Sequence, residues 1–451
     1  MKLKHTPKLD PQFMPLSVLF RDAKNSPSKE IVIALERNRG LISVFKTSIP
    51  DVDFETRFSL CERLVKSLLW LKGGFKIHFA GDDEVGNALK SEYSKGGNRD
   101  FDFNYMAGIY RSNFEVIVCS KDEIPAENEA PSSVGRNLDG CRIGFDAGGS
   151  DRKVSAVIDG KAVYSEEVVW FPKLNSDPNY HYQGILEAFK TAASKMPRVD
   201  AIGVSSAGVY IDNQIMAASL FLKVPKEEYD KHVINMYIDV AKEIGDVPIE
   251  VANDGDVTAL AGAMELNDTN ILGIAMGTSE AAGFIDSKGN ITGWLNELAF
   301  VPVDANKNSM VDEWSGDYGC GVKYFSQDSV IKLAPAAGIE LDESLSPAEK
   351  LKVVQKLMAE GDERAKDIFE TIGIYFGYAL AYYAMFYDIK HVLIMGRVTS
   401  GEGGVLILEN AKKVLKDEFP ELSEKMNLHI PDENSRRVGQ SVAAASLPKI
   451  N

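Results

Sequence analysis

The 451-residue chain carries 66 acidic and 50 basic side chains, a formal net charge of −16. That balance argues against nucleic acid or an anionic membrane surface as the main partner, and a content of 45% hydrophobic and 26% charged residues argues against disorder. The length predicts two to four domains with cores of their own.

The chain opens on a basic stretch, Met1–Lys8, with no apolar core behind it, so no secretory signal is expected. Glu30–Glu36 and Leu41–Thr47 read as strands joined by an Arg37–Gly40 turn. Phe54–Leu71 has apolar residues at helical spacing, and Phe75–Ala80 and Phe114–Ser120 are short strand-like runs with helical patterns between them. Residues 1–121 are therefore expected to form a small α/β module. Asp122–Gly140, with two prolines and five acidic residues, reads as a linker.

A larger α/β pattern occupies the rest of the chain. Strands are predicted at Arg142–Asp146, Lys153–Ile158, Lys161–Val169, Ala201–Ser205, Ile249–Ala252, Ile271–Ala275, Gly283–Asp286 and Val392–Met395. Helices are predicted at Tyr182–Lys195, Lys231–Glu243, Val257–Glu265 and Val438–Ser446, with Ala348–Phe386 mostly helical and broken near Gly361. The greasiest run, Ala379–Phe386, is too short to span a bilayer. Cys61, Cys119, Cys141 and Cys320 lie at least 22 positions apart, which excludes a disulfide framework or a CxxC metal knuckle. A soluble cytoplasmic protein is expected.

Three turns can carry chemistry. Asp146-Ala-Gly-Gly-Ser150 comes directly after a strand; its glycines would let backbone N–H groups approach a phosphate, and an aspartate at a strand end can hold a metal through water. The same residues suit a plain hairpin turn. Asn253-Asp254-Gly255-Asp256 suits either a helix cap or a general base taking a proton from a hydroxyl. Gly277-Thr278-Ser279 can hold outer phosphates or simply reverse the chain.

Their order, each after a strand, resembles the actin-like (ribonuclease H-like) sugar-kinase fold, and more narrowly the ROK family of sugar kinases and sugar-responsive repressors. The blocks that carry the resemblance, over Gly140–Lys449, are Phe145-Asp-Ala-Gly-Gly-Ser, Ala201-Ile-Gly-Val-Ser-Ser-Ala-Gly, Val251-Ala-Asn-Asp-Gly-Asp, Ala275-Met-Gly-Thr-Ser, Asn296-Glu-Leu-Ala-Phe and Val392-Leu-Ile-Met-Gly. The resemblance implies a two-lobed enzyme, preceded by the extra module, that closes on a sugar and ATP with Mg²⁺. Its lobes would be 141–256 with about 432–451, and 257–431. Asp254 would be the catalytic base. Asn253, Glu297, Ser206 and Ser219 would face the sugar. Asp146 would position Mg²⁺ through water, and Gly148, Gly149, Ser150, Gly277, Thr278, Ser279 and Gly396 would line the nucleotide.

Departures accompany it. The family's zinc-site histidine is replaced by Phe300, and of its cysteine cluster only Cys320 remains, so no zinc is expected, with Phe300 and Trp314 packing that region instead. Lys153 lies two positions beyond the usual lysine, Arg397 replaces a glycine, and Glu280 would repel a triphosphate unless it points away or meets a cation. The leading reading is an ATP-dependent carbohydrate kinase acting on a hexose or hexose derivative. The alternative is a non-catalytic sugar or metabolite sensor. A third reading makes the N-terminal module an oligomerisation or docking domain. DNA binding is not expected, and a homodimer is what the family would suggest.

Overall fold

The computed structural model describes residues 2–23, 27–129, 134–431 and 433–450, with the backbone alone for 433–438. Among them are three larger sheets. The first has the order Ile42–Pro50, Ser28–Glu36, Lys76–Ala80, Glu115–Val118; the second Ile249–Asn253, Ala201–Ser206, Cys141–Ala147, Asp151–Ile158, Lys161–Val169; the third Glu280–Ile285, Ile271–Met276, His391–Met395, Asn427–His429. The chain divides into two compact units. One comprises 1–130, 274–282 and 294–430, the other 131–273, 283–293 and 431–451. No helix among the described residues is long and apolar enough to cross a membrane.

In the second unit the first three strands of the five-stranded sheet run parallel and the last two pair antiparallel. Alternation along Cys141–Ala147 gives its two faces different tasks. Ile143 and Phe145 join Phe189, Val204 and Tyr237 in the buried core, with Phe145 edge-on to Phe189 at 5.4 Å. Gly144 and Gly203 face the C-terminal helix, Glu433–Ala445, so closely that a Cβ at either would collide with the carbonyl of Ser441 or Ala444.

The strand register sets the sheet edge: Ala147 lies opposite Ser206, and Ser206 opposite Asn253. Three parallel strands thus end level with one another. The next helix, Asp254–Leu266, starts three residues before its predicted start, because the Asn253 side chain accepts the Gly255 N–H at 2.8 Å and caps it. The predicted polar turn is the helix's first turn.

In the first unit the long predicted helical stretch is two helices, Pro347–Ala359 and Glu363–Tyr383, broken at Gly361 with φ of 80°. The second packs on Glu402–Glu418, a helix hidden in the sequence by its glycine-rich start. Its buried residues Ile407, Ala411, Val414 and Leu415 nevertheless keep helical spacing. The expected linker is anchored in its described parts. Asn128 exchanges two backbone hydrogen bonds of 2.9 Å with Ile42, and Arg136 donates to the Asp268 carbonyl at 2.6 Å; residues 130–133 of it lie outside the described residues, as do 432 and 451 of the expected lobe.

The N-terminal segment joins the rest of the first unit through a buried ion cluster. Helix Phe54–Lys72 supplies Glu62, Arg63 and Lys66, and the segment 99–102 supplies Arg99 and Asp102. The three cations converge on Asp317, which lies 2.9 Å from Arg63, 3.0 Å from Lys66 and 2.8 Å from Arg99. Glu62 closes the cluster on Arg63 at 2.6 Å and Arg99 at 2.5 Å. Burial alone would raise the Asp317 carboxyl, but the three cations outweigh it and hold it well below the usual carboxylate range.

Replacing Asp317 by Asn leaves those cations underpaired in the interior and is expected to lower stability by about 3–5 kcal/mol at pH 7. A carboxyl depressed on folding stabilises above its unfolded pKa, near 4, and loses that contribution as pH falls through the folded value. Urea unfolding of wild type and D317N should therefore show a wide gap at pH 7 that narrows below about pH 4.

Candidate active site

The level strand ends of the second unit place Asp146, Ser205, Ser206, Asn253 and Asp254 at one edge of the sheet, the carboxyl edge of parallel strands where ligands of open α/β sheets collect. Asp146 is 7% exposed. It accepts a hydrogen bond from Ser205 at 3.0 Å and a longer one from Gln440 at 3.4 Å, while Lys153 stands 3.9 Å off. Burial lifts its carboxyl to about 6; Lys153 and Ser205 oppose the lift, and the charge of Asp254 adds to it.

Asp254 is half-buried at the first position of its helix. Burial raises its carboxyl as well, countered by the Gly255 N–H at 3.0 Å and by the charge of Lys173. Asn253 uses its oxygen as the helix cap and one amide hydrogen on the Gly208 carbonyl at 2.8 Å. A lone pair and a hydrogen remain for a ligand. Ser206 accepts from Tyr237 at 3.0 Å. Ser219 opens a short 3-10 turn, Ser219–Phe221.

Gly148, Gly149 and Ser150 link two antiparallel strands, and Trp170 fixes this turn. Its indole N–H donates to the Gly148 carbonyl at 2.8 Å and its backbone N–H to the Ser150 carbonyl at 3.1 Å. Gly149 and Ser150 are exposed. Lys153 is committed to carboxylates, 3.0 Å from Asp151.

The first unit holds the remaining candidates. Thr278 and Ser279 are exposed in the turn after Ile271–Met276. The Gly277 carbonyl accepts from the Gln327 N–H at 2.9 Å. Gly396, at φ of 100°, lies so close to Met276 that any side chain there would strike its backbone, which keeps the Gly277 and Gly396 turns together. Glu297 is half-buried, and its N–H donates to the Trp70 carbonyl at 3.1 Å, next to an Asn296–Leu71 bond of 3.0 Å. The segment bearing Glu297 is thus held by the end of an N-terminal helix. Glu280 is 3% exposed, and its carboxyl oxygens make no hydrogen bond among the described residues; burial, then the charge of Glu297, pushes its carboxyl far up.

One expectation fails. Phe300 does pack, stacked on Trp70 at 4.2 Å, but Trp314 is 68% exposed and fills no space there. The place expected for it is taken by Trp70 and Phe101, contributed by the N-terminal segment. Sequence reasoning also misses Trp170, Lys173 and Gln440. They sit in a loop and a helix with no motif spacing, and only tertiary packing brings them to Asp146 and the Gly148–Gly149 turn.

Because the Asp146 carboxyl rises on folding, its contribution is full below about pH 4 and is lost as pH climbs through 6. Asp146→Asn, which keeps the Ser205 contact, is expected to stabilise the protein by the order of 2 kcal/mol at pH 7.5 and not at pH 4. Thermal melts at both pH values measure this.

Comparison with known proteins identifies the family and the fold. The ROK family profile covers residues 142–442. Among solved structures, a ROK hexokinase from Thermus thermophilus is similar at 17% identity and a TM-score of 0.53, over 68% of this chain and 96% of that one. A ROK family transcriptional regulator, a homolog of the E. coli MLC protein, gives 17%, 0.54, 69% and 79% for the same quantities. The Lmo2764 protein from Listeria monocytogenes gives 14%, 0.51, 68% and 97%. No curated protein sequence matches the chain. With the profile spanning more than half of its length, and the strands and turns arranged as described, the chain belongs to the ROK family and has its actin-like sugar-kinase fold.

Proposed function

We propose that the protein is an ATP-dependent carbohydrate kinase that phosphorylates a hydroxyl of a hexose or hexose derivative, with Asp254 as the general base. The observation that carries this reading is the position of Asp254: a half-buried carboxylate at the carboxyl edge of three in-register parallel strands, its pKa raised by burial, and close enough to Asp146 for the two charges to interact.

In this reading a sugar hydroxyl attacks the terminal phosphorus, its proton passes to Asp254, and the bridging P–O bond breaks to release ADP. Phosphoryl transfer has a loose transition state, so the protein's work is positioning and charge balance. Asn253, Ser206, Ser219 and Glu297 hydrogen-bond sugar hydroxyls. Gly148, Gly149, Ser150, Gly277, Thr278, Ser279 and Gly396 offer backbone N–H groups, hydroxyls and side-chain-free space to the nucleotide. Asp146 suits Mg²⁺: its carboxyl is buried and kept up in part by Asp254, a repulsion that a cation would relieve. Mg²⁺ arriving with ATP would neutralise phosphate charge, with Asp146 holding its hydration shell. A non-catalytic sugar sensor is the alternative, favoured by Phe300 and by the altered Gly277–Glu280 turn.

ADP release from Mg-ATP over a panel of hexoses, amino sugars and sugar alcohols tests the reading. One sugar is expected to give turnover, and Asp254→Asn to lower kcat by about 10²–10⁴. If no sugar turns over while some raise the melting temperature, the sensor reading replaces it.

A further inference from the structure

Three cationic side chains stand near the Gly148–Gly149 turn, and two are already committed. Lys153 is paired with Asp151 at 3.0 Å and faces Asp146. Arg152 is buried and held by Glu187 at 2.5 Å. Lys173 differs: it is exposed, and its ammonium makes no hydrogen bond or ion pair with any described residue. Its side chain nevertheless lies across the turn. A Cβ on Gly149 would come within 2.9 Å of Lys173 Cε and 3.1 Å of Nζ. The same ammonium pulls the Asp254 carboxyl toward its ionised form.

The loop that aims this lysine is built. Lys173 sits in a 3-10 turn, Pro172–Leu174, whose proline is buried. Asn175 closes the turn on the Phe171 carbonyl at 2.7 Å, and Tyr180 accepts the Phe171 N–H at 2.9 Å. Beneath, the buried His181 brings Nε2 to 3.0 Å from the Pro172 carbonyl and 3.1 Å from the Leu220 carbonyl. These contacts tie the Lys173 turn to the Ser219–Phe221 turn. Buried and hydrogen-bonded neighbours thus fix the backbone of a lysine whose ammonium makes no hydrogen bond or ion pair among the described residues.

We infer that Lys173 is a phosphate-binding residue, the cation that meets the transferring phosphoryl group over the Gly148–Gly149 turn beside Asp254. The inference rests on the kinase reading for the identity of the phosphate donor. An ammonium is a compact point charge that suits a phosphate oxygen. Placed there it balances charge that builds on the equatorial oxygens, and it keeps the neighbouring base ionised. A side chain at Gly149 would have to share this space with the end of the lysine.

The test is calorimetric binding of inorganic tripolyphosphate and of Mg-ATP to wild type, Lys173→Met and Lys173→Arg, together with turnover on the sugar found active. All three proteins should fold alike, because the side chain is exposed. Lys173→Met is expected to weaken tripolyphosphate and Mg-ATP binding about tenfold or more and to lower kcat, with Lys173→Arg recovering part of both and adenosine binding unchanged. Equal tripolyphosphate affinity in wild type and Lys173→Met overturns the inference, and full turnover in that variant leaves the kinase reading standing without it. Lysine-dependent tripolyphosphate binding with no turnover on any sugar keeps the phosphate site and removes the kinase reading. Absence of polyphosphate binding in wild type defeats both.

Discussion

The strand register of the second unit is the constraint on which its chemistry depends. Because Ala147, Ser206 and Asn253 are level, one sheet edge receives two carboxylates, two hydroxyls and an amide without any long loop to hold them. Slipping one strand by a single residue would turn Asp146 or Asn253 to the opposite face. The glycines at 144 and 203 protect that register from the other side, since only they allow the C-terminal helix to lie against the sheet and bring Gln440 to Asp146. The same compactness accounts for the electrostatics: burial raises the proton affinity of both carboxylates, Asp254 adds to it at Asp146, and the Lys173 ammonium opposes it at Asp254.

Much of this is legible in the sequence, for a physical reason. Strand ends that run into glycine or capping residues leave local signatures, so Asp146, Asn253–Asp254 and Gly277–Thr278 stand out before any tertiary information. The helix break at Gly361 is legible in the same way. What stays hidden depends on contacts between residues far apart in sequence. Lys173 is an ordinary exposed lysine until its turn is laid over Gly149. Nearness in sequence to Cys320 suggests a packing role for Trp314, but the aromatic surface that Phe300 needs comes from Trp70 and Phe101, roughly two hundred residues away. Helix Glu402–Glu418 is obscured because its glycines read as loop, although two of them exist to let the helix begin in a crowded place.

In the first unit, charge holds the loop around Cys320 in place. Asp317 sits at its centre, with three cations reaching it from the N-terminal segment and Cys320 buried alongside. An ion cluster of this kind adds little net stability over apolar packing, yet it penalises every arrangement that leaves a charge unpaired, so it specifies one geometry.

That geometry extends to the residue proposed to meet the sugar. The helix that supplies Arg63 and Lys66 ends at Lys72, and the carbonyls of Trp70 and Leu71 in its last turn accept the N–H groups of Glu297 and Asn296. These are end-of-helix carbonyls that need partners outside the helix, so each satisfies a group that would otherwise be orphaned. The N-terminal segment is therefore a support for Glu297: its charges lock the loop at Asp317, its aromatic rings fill the space under Phe300, and its helix end holds the backbone on which the glutamate is carried. A departure at one family position, histidine to phenylalanine, becomes intelligible only together with the additional residues that pack against it.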